Sequence, residues 1–382
     1  MKIVHLCLSM SYSDNYSYQE NMLPKFHKAA GYDVEIIASR LVFDENGDLT
    51  RYCGPMEYTN SQGIKITRLN NKAPAKVYEK MRRYKGTLEE LKRAKPDILF
   101  IHGCQFLDAD KVSKYLKKHR DVKVFVDNHG DFHNSAQNFI SKNILHAVIW
   151  KKSAHKLLPY AEMFYGVLPA RVDFLKDFYK LPADKCELLL MGADDDEVEK
   201  ALEPSVREGK RKEYGASDED ILILAGGKID HNKPQILLLM KAVNEIADKH
   251  IRLLVFGSVS PELQAEFENQ LSNYVKHIGW KTSNEIYSEF AAADLVAFPG
   301  LHSVLWEQAV GMGKPCIFRK MEGFTHIDLG GNCLFFEKDT AEEYKRVIEK
   351  AIERKDRMKS VAEKKGMDVF SYKNIAKRAL EH

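Results

Sequence analysis

Two lysines stand in a glycine-bearing loop where a charged ligand could be bound. Lys228 and Lys233 belong to the stretch A-G-G-K-I-D-H-N-K-P, in which Gly227 follows a predicted strand and a predicted helix begins near Pro234. Glycines let a ligand approach the backbone, and two ammonium groups can straddle a diphosphate. Taken alone, a stretch of this kind is more often an ordinary turn, and a P-loop is excluded because G-x-x-x-x-G-K-[ST] is absent.

A second loop with suitable chemistry lies in D-L-V-A-F-P-G-L-H-S-V-L-W-E. The short apolar strand Leu295–Phe298 breaks at Pro299, and a helix is predicted to begin near Ser303. A strand that feeds a helix N-terminus predicts an anion site, because unpaired N–H groups and the positive end of the helix dipole face the same point. Glu307 lies about one helical turn further on, where a carboxylate can accept hydrogen bonds from sugar hydroxyls. Phosphate and sugar together indicate a nucleotide.

Strands that alternate with helices position both loops and predict an α/β fold of two doubly wound parallel sheets. We place the first domain at 1–191 and the second at 192–369, with a helix at 370–382 that packs back on the first. Strands of the second domain are predicted at Ile221–Ala225, Arg252–Phe256, Val275–Ile278, Leu295–Phe298, Pro315–Phe318 and Cys333–Phe336. Strands of the first are predicted at Ile3–Leu8, Val34–Ala38, Asp97–His102, Val122–Val126, Lys156–Pro159, Phe164–Leu168 and Glu187–Leu190.

Net charge, cysteine spacing and the length of apolar runs argue against nucleic-acid binding, a cysteine metal site and a membrane span. The 382 residues carry a net charge of +3, which is too small to indicate nucleic acid. Six cysteines are scattered without metal-ligand or redox spacing, and no stretch approaches the roughly 20 apolar residues of a membrane span. We therefore predict a soluble, cytoplasmic protein.

The segment 72–95 is rich in lysine and arginine with apolar residues interspersed. One interpretation is a pair of solvated helices that cover the sheet. The other is a surface that meets an anionic membrane, where each basic residue contributes on the order of 1 kcal/mol. The second interpretation predicts a peripheral protein at the inner face of the cell membrane.

Four stretches of the second half together resemble a known family. G-K-I-D-H-N-K-P, G-W-K-T-S-N-E-I-Y, A-D-L-V-A-F-P-G and W-E-Q-A-V-G-M-G-K-P-C-I look like the C-terminal half of retaining glycosyltransferases of the GT-B fold, in particular of the GT4 family. M-G-A-D-D-D resembles the interdomain N-G-V-D turn of that family. The resemblance implies two Rossmann-like domains that face a central cleft, with the donor on the second domain and the acceptor on the first.

The resemblance also implies roles for residues of the second domain. Lys228 stands where the family usually has arginine, and Lys233 matches its lysine; both would hold the donor diphosphate and its leaving charge. Glu307 matches the second glutamate of the family's paired-glutamate motif and would accept from the ribose hydroxyls. Ser303 and Val304 occupy the loop whose backbone amides meet the phosphates.

The sequence departs from the family at two places. Pro299 stands where the family has its first glutamate, which contacts the transferred sugar, and His302 could substitute for that residue. The first loop reads S-M-S-Y-S-D-N-Y and lacks the glycine pair of many members. Tyr16 and Asn21 near this loop are acceptor-side candidates.

His129 and Asp131 follow a predicted strand in D-N-H-G-D-F. By default a loop histidine is a solvated or capping residue. The family, however, places a histidine from this part of the first domain beside the sugar. The resemblance therefore implies that His129 stabilises charge and orientation at the reacting centre, with Asp131 as a further catalytic candidate on the acceptor side.

These assignments imply a retaining hexosyltransferase. It would move a hexose or N-acetylhexosamine from a nucleotide diphosphate sugar, with UDP favoured, to a sugar or lipid-linked glycan in surface polysaccharide biosynthesis. A nucleotide-sugar epimerase on the same fold and a non-catalytic nucleotide-sugar-binding protein remain alternatives. The run Asp194-Asp195-Asp196 could be a metal-binding D-x-D motif, but hard cations need ligands from several directions and we interpret it as a solvated turn. No metal and no cofactor are therefore expected.

Overall fold

The computed structural model describes residues 1–44, 48–72, 74–231 and 233–382, and the chain divides into two units. The N-terminal unit is Met1–Leu190 with Ile375–His382, and the C-terminal unit is Met191–Asn374. Each unit is built around one mainly parallel sheet.

Hydrophobic strands form the centre of the N-terminal sheet because both of their faces are covered. Ile3, Val4 and Leu6 of the first strand are fully buried, as expected for a parallel strand between two helical layers. All neighbours in this sheet pair in parallel except the last two, which are antiparallel. In spatial order the strands are Cys186–Leu188, Ala161–Gly166, Lys123–Asn128, Ile98–Ile101, Lys2–Cys7, Asp33–Ser39, Lys65–Leu69 and Glu57–Thr59. A separate hairpin is formed by Leu41–Phe43 and Leu49–Arg51.

Helices of the N-terminal unit flank its sheet. The α-helices are Gln19–Ala29, Ala75–Lys80, Thr87–Ala94, Ala109–Leu116, Lys151–Leu157 and Pro169–Asp173. π-Helical segments lie at Ser141–Trp150 and Phe174–Phe178, and a 3₁₀ turn lies at Ala183–Lys185. The helix Tyr372–Arg378 leads into this unit, where His27 Nε2 donates to the carbonyl of Ala376 at 2.8 Å. Within the described ranges, every helix is too short or too polar for a membrane crossing.

The C-terminal sheet is parallel throughout. In spatial order its strands are Val275–His277, Ile251–Phe256, Ile221–Gly226, Leu295–Phe298, Cys316–Arg319 and Cys333–Phe336. Its α-helices are Asp195–Ala201, Pro204–Glu213, Gln235–Ile246, Gln264–Asn269, Glu285–Ala292, Leu305–Gly311, Ala341–Val361 and Met367–Val369. A π-helical segment lies at Ala362–Gly366, and a 3₁₀ turn lies at Thr325–Ile327.

The strand order of the C-terminal sheet fixes where a ligand can bind. Numbered along this unit, the six strands have the order 3-2-1-4-5-6. The chain therefore leaves Ile221–Gly226 toward one edge and returns at Leu295–Phe298 to build toward the other. Loops separate at such a switch point, and open α/β sheets bind ligands at the carboxyl ends of these strands. In the N-terminal sheet, Lys2–Cys7 and Ile98–Ile101 flank the equivalent point.

One predicted element has the wrong secondary structure. The strand expected at Lys156–Pro159 is absent from the described residues there, because the helix Lys151–Leu157 continues into this stretch. Ser153, Ala154 and Leu157 are buried at helical spacing, so the apolar pair beside Pro159 closes a helix rather than forming a strand. The neighbouring strand is Ala161–Gly166.

Candidate functional site

A pocket that is partly open to solvent lies at the switch point of the C-terminal sheet. The pocket brings together the lysine-bearing loop and the loop that follows Leu295–Phe298, as expected from the strand order. Its lining residues are Gly226, Lys228, Ile229, Lys233, Ile236, Phe298, Pro299, Gly300, Leu301 and Ser303.

Glycine is required at the end of the strand Ile221–Gly226, beside the pocket. A Cβ atom on Gly226 would lie 2.0 Å from the carbonyl oxygen of Phe256, on the adjacent strand. Gly227 has φ +119°, and its N–H donates to the same carbonyl at 3.1 Å. The predicted donor-binding role of Gly227 therefore cannot come from its N–H in this conformation; what the residue provides is open space beside Lys228.

The two lysines differ in environment. Lys228 is exposed, whereas Lys233 is half-buried and its aliphatic stem lies against Gly300. Burial lowers the pKa of Lys233, and the charge of Asp230 only partly offsets this. Within the described ranges, no carboxylate lies at ion-pair distance from Lys233 Nζ. Lys233 is thus a partly desolvated cation at the pocket, which an anionic ligand would stabilise.

The loop after the fourth strand offers backbone donors. The helix begins at Leu305 with Val304 at its N-cap position, two residues later than the sequence suggested. In the part of the chain that the structure describes, the N–H groups of Ser303 and Val304 donate to no protein acceptor. Ser303 lines the same pocket as Lys228 and Lys233, so an anion bound there could interact with both the lysines and this loop.

Glu307 lies behind this loop and is not among the residues that line the pocket. It is fully buried, and its Oε1 accepts from Nε2 of His302 and Nε2 of His326, both at 2.8 Å. Burial alone would raise the pKa of Glu307, but the two imidazoles outweigh it and lower the pKa to about 2. The predicted contact of Glu307 with ribose stays a prediction, since its side chain is sealed in this conformation. His302 is its partner rather than a pocket residue.

His326 was not identified from the sequence. It lies in the 3₁₀ turn Thr325–Ile327, nineteen positions beyond Glu307, in the loop after the next strand of the sheet. No short-range spacing connects the two residues. The only available signal was topological, because loops that follow adjacent parallel strands end at the same edge of a sheet.

A buried polar cluster occupies the equivalent edge of the N-terminal sheet. His129 Nε2 lies 3.3 Å from Asp127 Oδ2, and His102 Nδ1 lies 2.8 Å from the same oxygen. Burial lowers the pKa of His129, but the adjacent Asp127 carboxylate outweighs it, and the pKa is raised. Asp127 and His102 each end a buried strand, a sequence signal that we did not use. The cluster therefore favours the charged form of His129, directly after the strand Lys123–Asn128.

The histidines continue inward as a chain of hydrogen bonds. Ala376 contributes a carbonyl, which can only accept, so His27 carries its proton on Nε2. The pKa of His27 is lowered to about 4 by burial and that of His5 lies well below its ordinary value for the same reason. Both are then neutral, and each accepts at Nδ1: His27 from His5 at 3.1 Å, and His5 from His102 at 2.9 Å.

The chain ends at the strand-end carboxylate of Asp127. His102 Nε2 lies 2.9 Å from His5 Nδ1, and His102 Nδ1 lies 2.8 Å from Asp127 Oδ2. His102 therefore joins the histidine chain to the buried Asp127 carboxylate, with His129 near the same oxygen.

Asp131 fixes the loop that carries His129. Its Oδ1 accepts from the backbone N–H groups of His133 and Asn134 at 2.7 and 3.1 Å. Its Oδ2 accepts from Arg171 Nε at 3.1 Å. Both oxygens are therefore engaged within the loop, and the catalytic role implied for Asp131 stays a prediction.

The two acceptor-side candidates lie near the first loop in different environments. Tyr16 is half-buried, and its hydroxyl donates to the carbonyl of Asp44 at 3.0 Å. Asn21 is buried, and its Nδ2 donates to the carbonyl of Ser13 at 2.8 Å. Asn21 thus ties the first loop to the helix Gln19–Ala29, whereas the half-buried Tyr16 ring stacks on Tyr18.

The acidic run between the units is not a solvated turn. Asp194 is buried at the N-cap of the helix Asp195–Ala201 and accepts from the N–H of Asp196 at 3.2 Å. Asp195 accepts from Ser371 Oγ and from the N–H of Lys373. The run is used to begin a helix and to anchor the segment near Ser371.

The larger group of exposed apolar side chains in the N-terminal unit lies outside the basic segment 72–95. In that segment, Leu91 is buried in the core and Val77 is 55% exposed. Ala73 and the side chains of Ala75, Lys76 and Tyr78 lie outside the described residues. A larger group of exposed apolar residues lies along the helix that contains Ser141–Trp150. Its members are Phe139, Ile140, Ile144 and Val148, which are 76%, 62%, 49% and 44% exposed.

Residues 220–354 match the model of a family described as glycosyl transferases group 1. The match covers the strands and loops that form the pocket but less than half of the chain. No curated protein is significantly similar to this sequence.

Solved structures are similar over almost the full chain. Sucrose-phosphate synthase of Thermosynechococcus elongatus has a TM-score of 0.70 at 14% identity, over 99% of this chain and 96% of that one. Anabaena Alr3699/HepE in complex with UDP has a TM-score of 0.66 at 15% identity, over 99% and 98%. UDP-GlcNAc 2-epimerase of Neisseria meningitidis, bound to UDP-GlcNAc, has a TM-score of 0.63 at 12% identity, over 100% and 99%. At these identities the similarity establishes the fold, which is GT-B with two Rossmann-like units.

Proposed function

We propose that this chain is a retaining glycosyltransferase of the GT4 type that transfers a hexose or N-acetylhexosamine from a nucleotide diphosphate sugar. The observation that carries the proposal is the pocket at the switch point, which Lys228, Lys233 and Ser303 line together; in the described residues the N–H of Ser303 has no protein acceptor. The family match over the same residues favours a transferase. UDP is the favoured nucleotide, since a similar structure holds UDP.

In this proposal the two lysines hold the diphosphate. Lys233 gains the most from an anion because it is partly desolvated and has no carboxylate partner in the described residues. Ser303 and Val304 donate their backbone N–H groups to the phosphate oxygens. Glu307 is the predicted acceptor for the ribose hydroxyls, which requires His302 to move or the loop to open.

The chemical step would depend on stabilising the departing diphosphate. Charge that develops on the leaving oxygen is stabilised by Lys228 and Lys233, which are positioned before the reaction. Two fixed ammonium groups can replace a divalent cation at this point, so we propose that transfer needs no metal at the diphosphate. Addition of Mg²⁺ or Mn²⁺ should then leave the rate unchanged. Retention follows if the departing phosphate takes the proton of the acceptor hydroxyl on the same face of the sugar.

For the N-terminal unit we propose the acceptor side of the reaction. His129 is its catalytic candidate, because Asp127 raises the pKa of this imidazole and favours its charged form. Tyr16, which is half-buried, is the less enclosed of the two acceptor-side candidates. The acceptor we propose is a sugar or a lipid-linked glycan in surface polysaccharide synthesis.

A lipid-linked acceptor fits the exposed apolar residues of the N-terminal unit. Ile140, Ile144 and Val148 recur every four positions along one helix, with Lys142, Lys151 and Lys152 on the same stretch of chain. Such a surface can enter the headgroup region of an anionic bilayer. We propose peripheral membrane contact through this helix rather than mainly through 72–95, where the large apolar side chains are mostly covered.

An epimerase is the second candidate, because a UDP-GlcNAc 2-epimerase has the same fold. An epimerase needs no acceptor. Incubation of the chain with a panel of nucleotide sugars, with and without a membrane extract as acceptor source, separates the two. Conversion of a sugar nucleotide without acceptor identifies an epimerase, and acceptor-dependent release of the nucleoside diphosphate identifies a transferase.

A panel of UDP, GDP, ADP and CMP in thermal unfolding identifies the nucleotide first. A ligand at 100 times its dissociation constant adds about 2.7 kcal/mol to the stability of the folded state. We expect one diphosphate to raise the melting temperature while the others do not. Tight binding without any turnover would favour the non-catalytic alternative, and no response to any nucleotide would contradict the proposal.

A further inference from the structure

Three side chains of the C-terminal unit converge in a manner that hydrogen bonding alone leaves incomplete. We propose that His302, Glu307 and His326 bind one zinc ion. One ligand atom from each, two imidazole nitrogens and one carboxylate oxygen, lie within 4.8 Å of one another. The three side chains are 6%, 0% and 1% exposed, so the cluster is closed to solvent. The site is separate from the residues that line the diphosphate pocket.

Hydrogen-bond accounting supports a missing cation. Oε1 of Glu307 accepts from both imidazoles, while Oε2 is sealed from solvent and has no partner in the part of the chain that the structure describes. Nδ1 of His326 is likewise buried without a partner among the described residues. A buried acceptor left unsatisfied costs about 1–3 kcal/mol, and more when it is charged. A cation bound between the three ligands would neutralise the carboxylate directly.

The ligand set selects the metal. Two imidazoles and one carboxylate are the protein ligands of His₂Glu zinc sites, with bonds of about 2.0–2.2 Å. Mg²⁺ and Ca²⁺ prefer six or more oxygen ligands and do not fit two nitrogens. Ligand atoms around a tetrahedral zinc lie about 3.3 Å apart, so shifts of roughly 1 Å in the two rings would admit the ion. The fourth position would be taken by water or by a ligand.

The ion would join two loops that follow neighbouring strands. His302 and Glu307 come from the loop and helix after Leu295–Phe298, and His326 comes from the turn after Cys316–Arg319. Ser303, which lines the pocket, directly follows His302. Zinc would therefore hold one wall of the pocket in place. Because the predicted ribose contact of Glu307 requires His302 to move or the loop to open, zinc binding and that contact would be mutually exclusive states of this loop.

The test is the metal content and zinc affinity of the full-length chain, produced without a histidine tag. We expect about one zinc per chain after growth in zinc-containing medium, its loss on dialysis against a chelator, and saturable 1:1 rebinding in a titration with zinc alone. Co²⁺ bound in its place should give the visible spectrum of a four- or five-coordinate site. The readout needs no nucleotide, so it stands or falls independently of the proposed transferase activity.

Matched variants assign the site. His302→Ala and His326→Ala should each weaken zinc binding by more than about 100-fold, since loss of an outer-shell partner alone costs about 10–100-fold. His119→Ala, an exposed histidine of the N-terminal unit, should bind zinc as the wild type does. Equal zinc binding in His326→Ala and His119→Ala would overturn the assignment. If the alanine variants do not fold, the chelator-treated wild type decides: the absence of 1:1 binding at micromolar zinc leaves a hydrogen-bonded triad only and overturns the proposal.

Discussion

Replacing Lys233 by methionine separates its charge from its packing. The stem of Lys233 lies against Gly300, and a methionine side chain keeps most of that contact. The ammonium group, by contrast, has no carboxylate at ion-pair distance in the described residues. Lys233→Met should therefore fold at least as stably as the wild type while binding a nucleoside diphosphate much more weakly.

The size of the effect follows from the environment of the lysine. A hydrogen bond to a charged group contributes about 1.5–3 kcal/mol, which corresponds to about 10–150-fold in Kd. We expect the upper half of this range, because Lys233 is half-buried and less screened than a surface lysine. Lys228 is exposed, so Lys228→Met should lie in the lower half.

Isothermal titration with UDP measures the difference. The control is Lys241→Met, since Lys241 is an exposed lysine on a helix of the same unit and forms an exposed ion pair with Glu245 at 3.8 Å. We expect its Kd to remain within about twofold of the wild-type value, as for most exposed ion pairs. A Lys233→Met variant that binds UDP as tightly as Lys241→Met would refute the placement of the diphosphate.

The pH dependence provides an independent check of the same reasoning. Burial lowers the pKa of Lys233 in the free protein, and a bound diphosphate should raise it again. Above the pKa of the free state, binding must take up a proton, so affinity should fall as the pH rises. Lys233→Arg keeps its charge at all accessible pH values and should remove this slope. A slope that is unchanged in the arginine variant would assign the titration to another group.

Three further changes test other parts of the structure. Asp127→Asn should destabilise the fold by about 3–5 kcal/mol, the cost of breaking a buried ion pair, as measured by urea unfolding. The same substitution should lower the pKa of His129, which can be followed by NMR. In the wild type, Asp127 raises the pKa of folded His129 above the unfolded value of about 6.5. The His129–Asp127 interaction therefore stabilises the fold fully below about pH 6.5, and this stabilisation is lost as the pH rises through the folded-state pKa. Ile144→Ser should weaken binding to anionic vesicles in a sedimentation assay, since it removes part of the exposed apolar row. Gly226→Ala should cost about 3 kcal/mol or more in urea unfolding, because the new Cβ would meet the carbonyl of the adjacent strand at 2.0 Å.

Two controls belong to these variants. Val77→Ser removes an exposed apolar side chain of the segment 72–95 and should leave vesicle binding nearly unchanged; an equal loss in both variants would return the membrane contact to 72–95. Gly209→Ala lies in the helix Pro204–Glu213 with open space around its Cβ. It should stabilise the chain by up to about 1 kcal/mol, because alanine is the better helix former.

Alternation of strands and helices made the fold predictable. The second half follows a strict succession of short apolar strands and amphipathic helices, and the predicted strands lie within two residues of Ile221–Gly226, Ile251–Phe256 and Leu295–Phe298. The strand predicted at Lys156–Pro159 was wrong because a short apolar run shows neither helical nor strand periodicity and fits both structures. There the register of the preceding helix decided the structure, through Ala154 and Leu157, which face the core.

The candidate site was predictable only in part. Lys228, Lys233 and Ser303 share a pocket because loops at a switch point are brought together by strand order, which the sequence pattern supplies. Glu307 was expected at the mouth of that pocket, yet it is buried against His326. That contact spans a strand and a loop, and helical periodicity carries no information about it.

The histidine chain of the N-terminal unit was missed for a related reason. His5 and His102 occupy adjacent strands, and each reads as an isolated polar residue in an apolar run. Only the pairing register places them in contact, and only the distant carbonyl of Ala376 fixes the direction of the hydrogen bonds. Chains of this kind become visible once register and end-of-chain packing are known.

The return of Ile375–His382 to the N-terminal unit has a consequence for how the chain is made. On the ribosome, Met1–Leu190 emerges first, but the carbonyl that orients His27 appears only after the C-terminal unit has been synthesised. At about 5–20 residues per second this takes about 10–40 s. During that interval the unit that we assign to the acceptor is present without its last helix, whereas Met191–Asn374 is continuous in sequence and can complete its fold first.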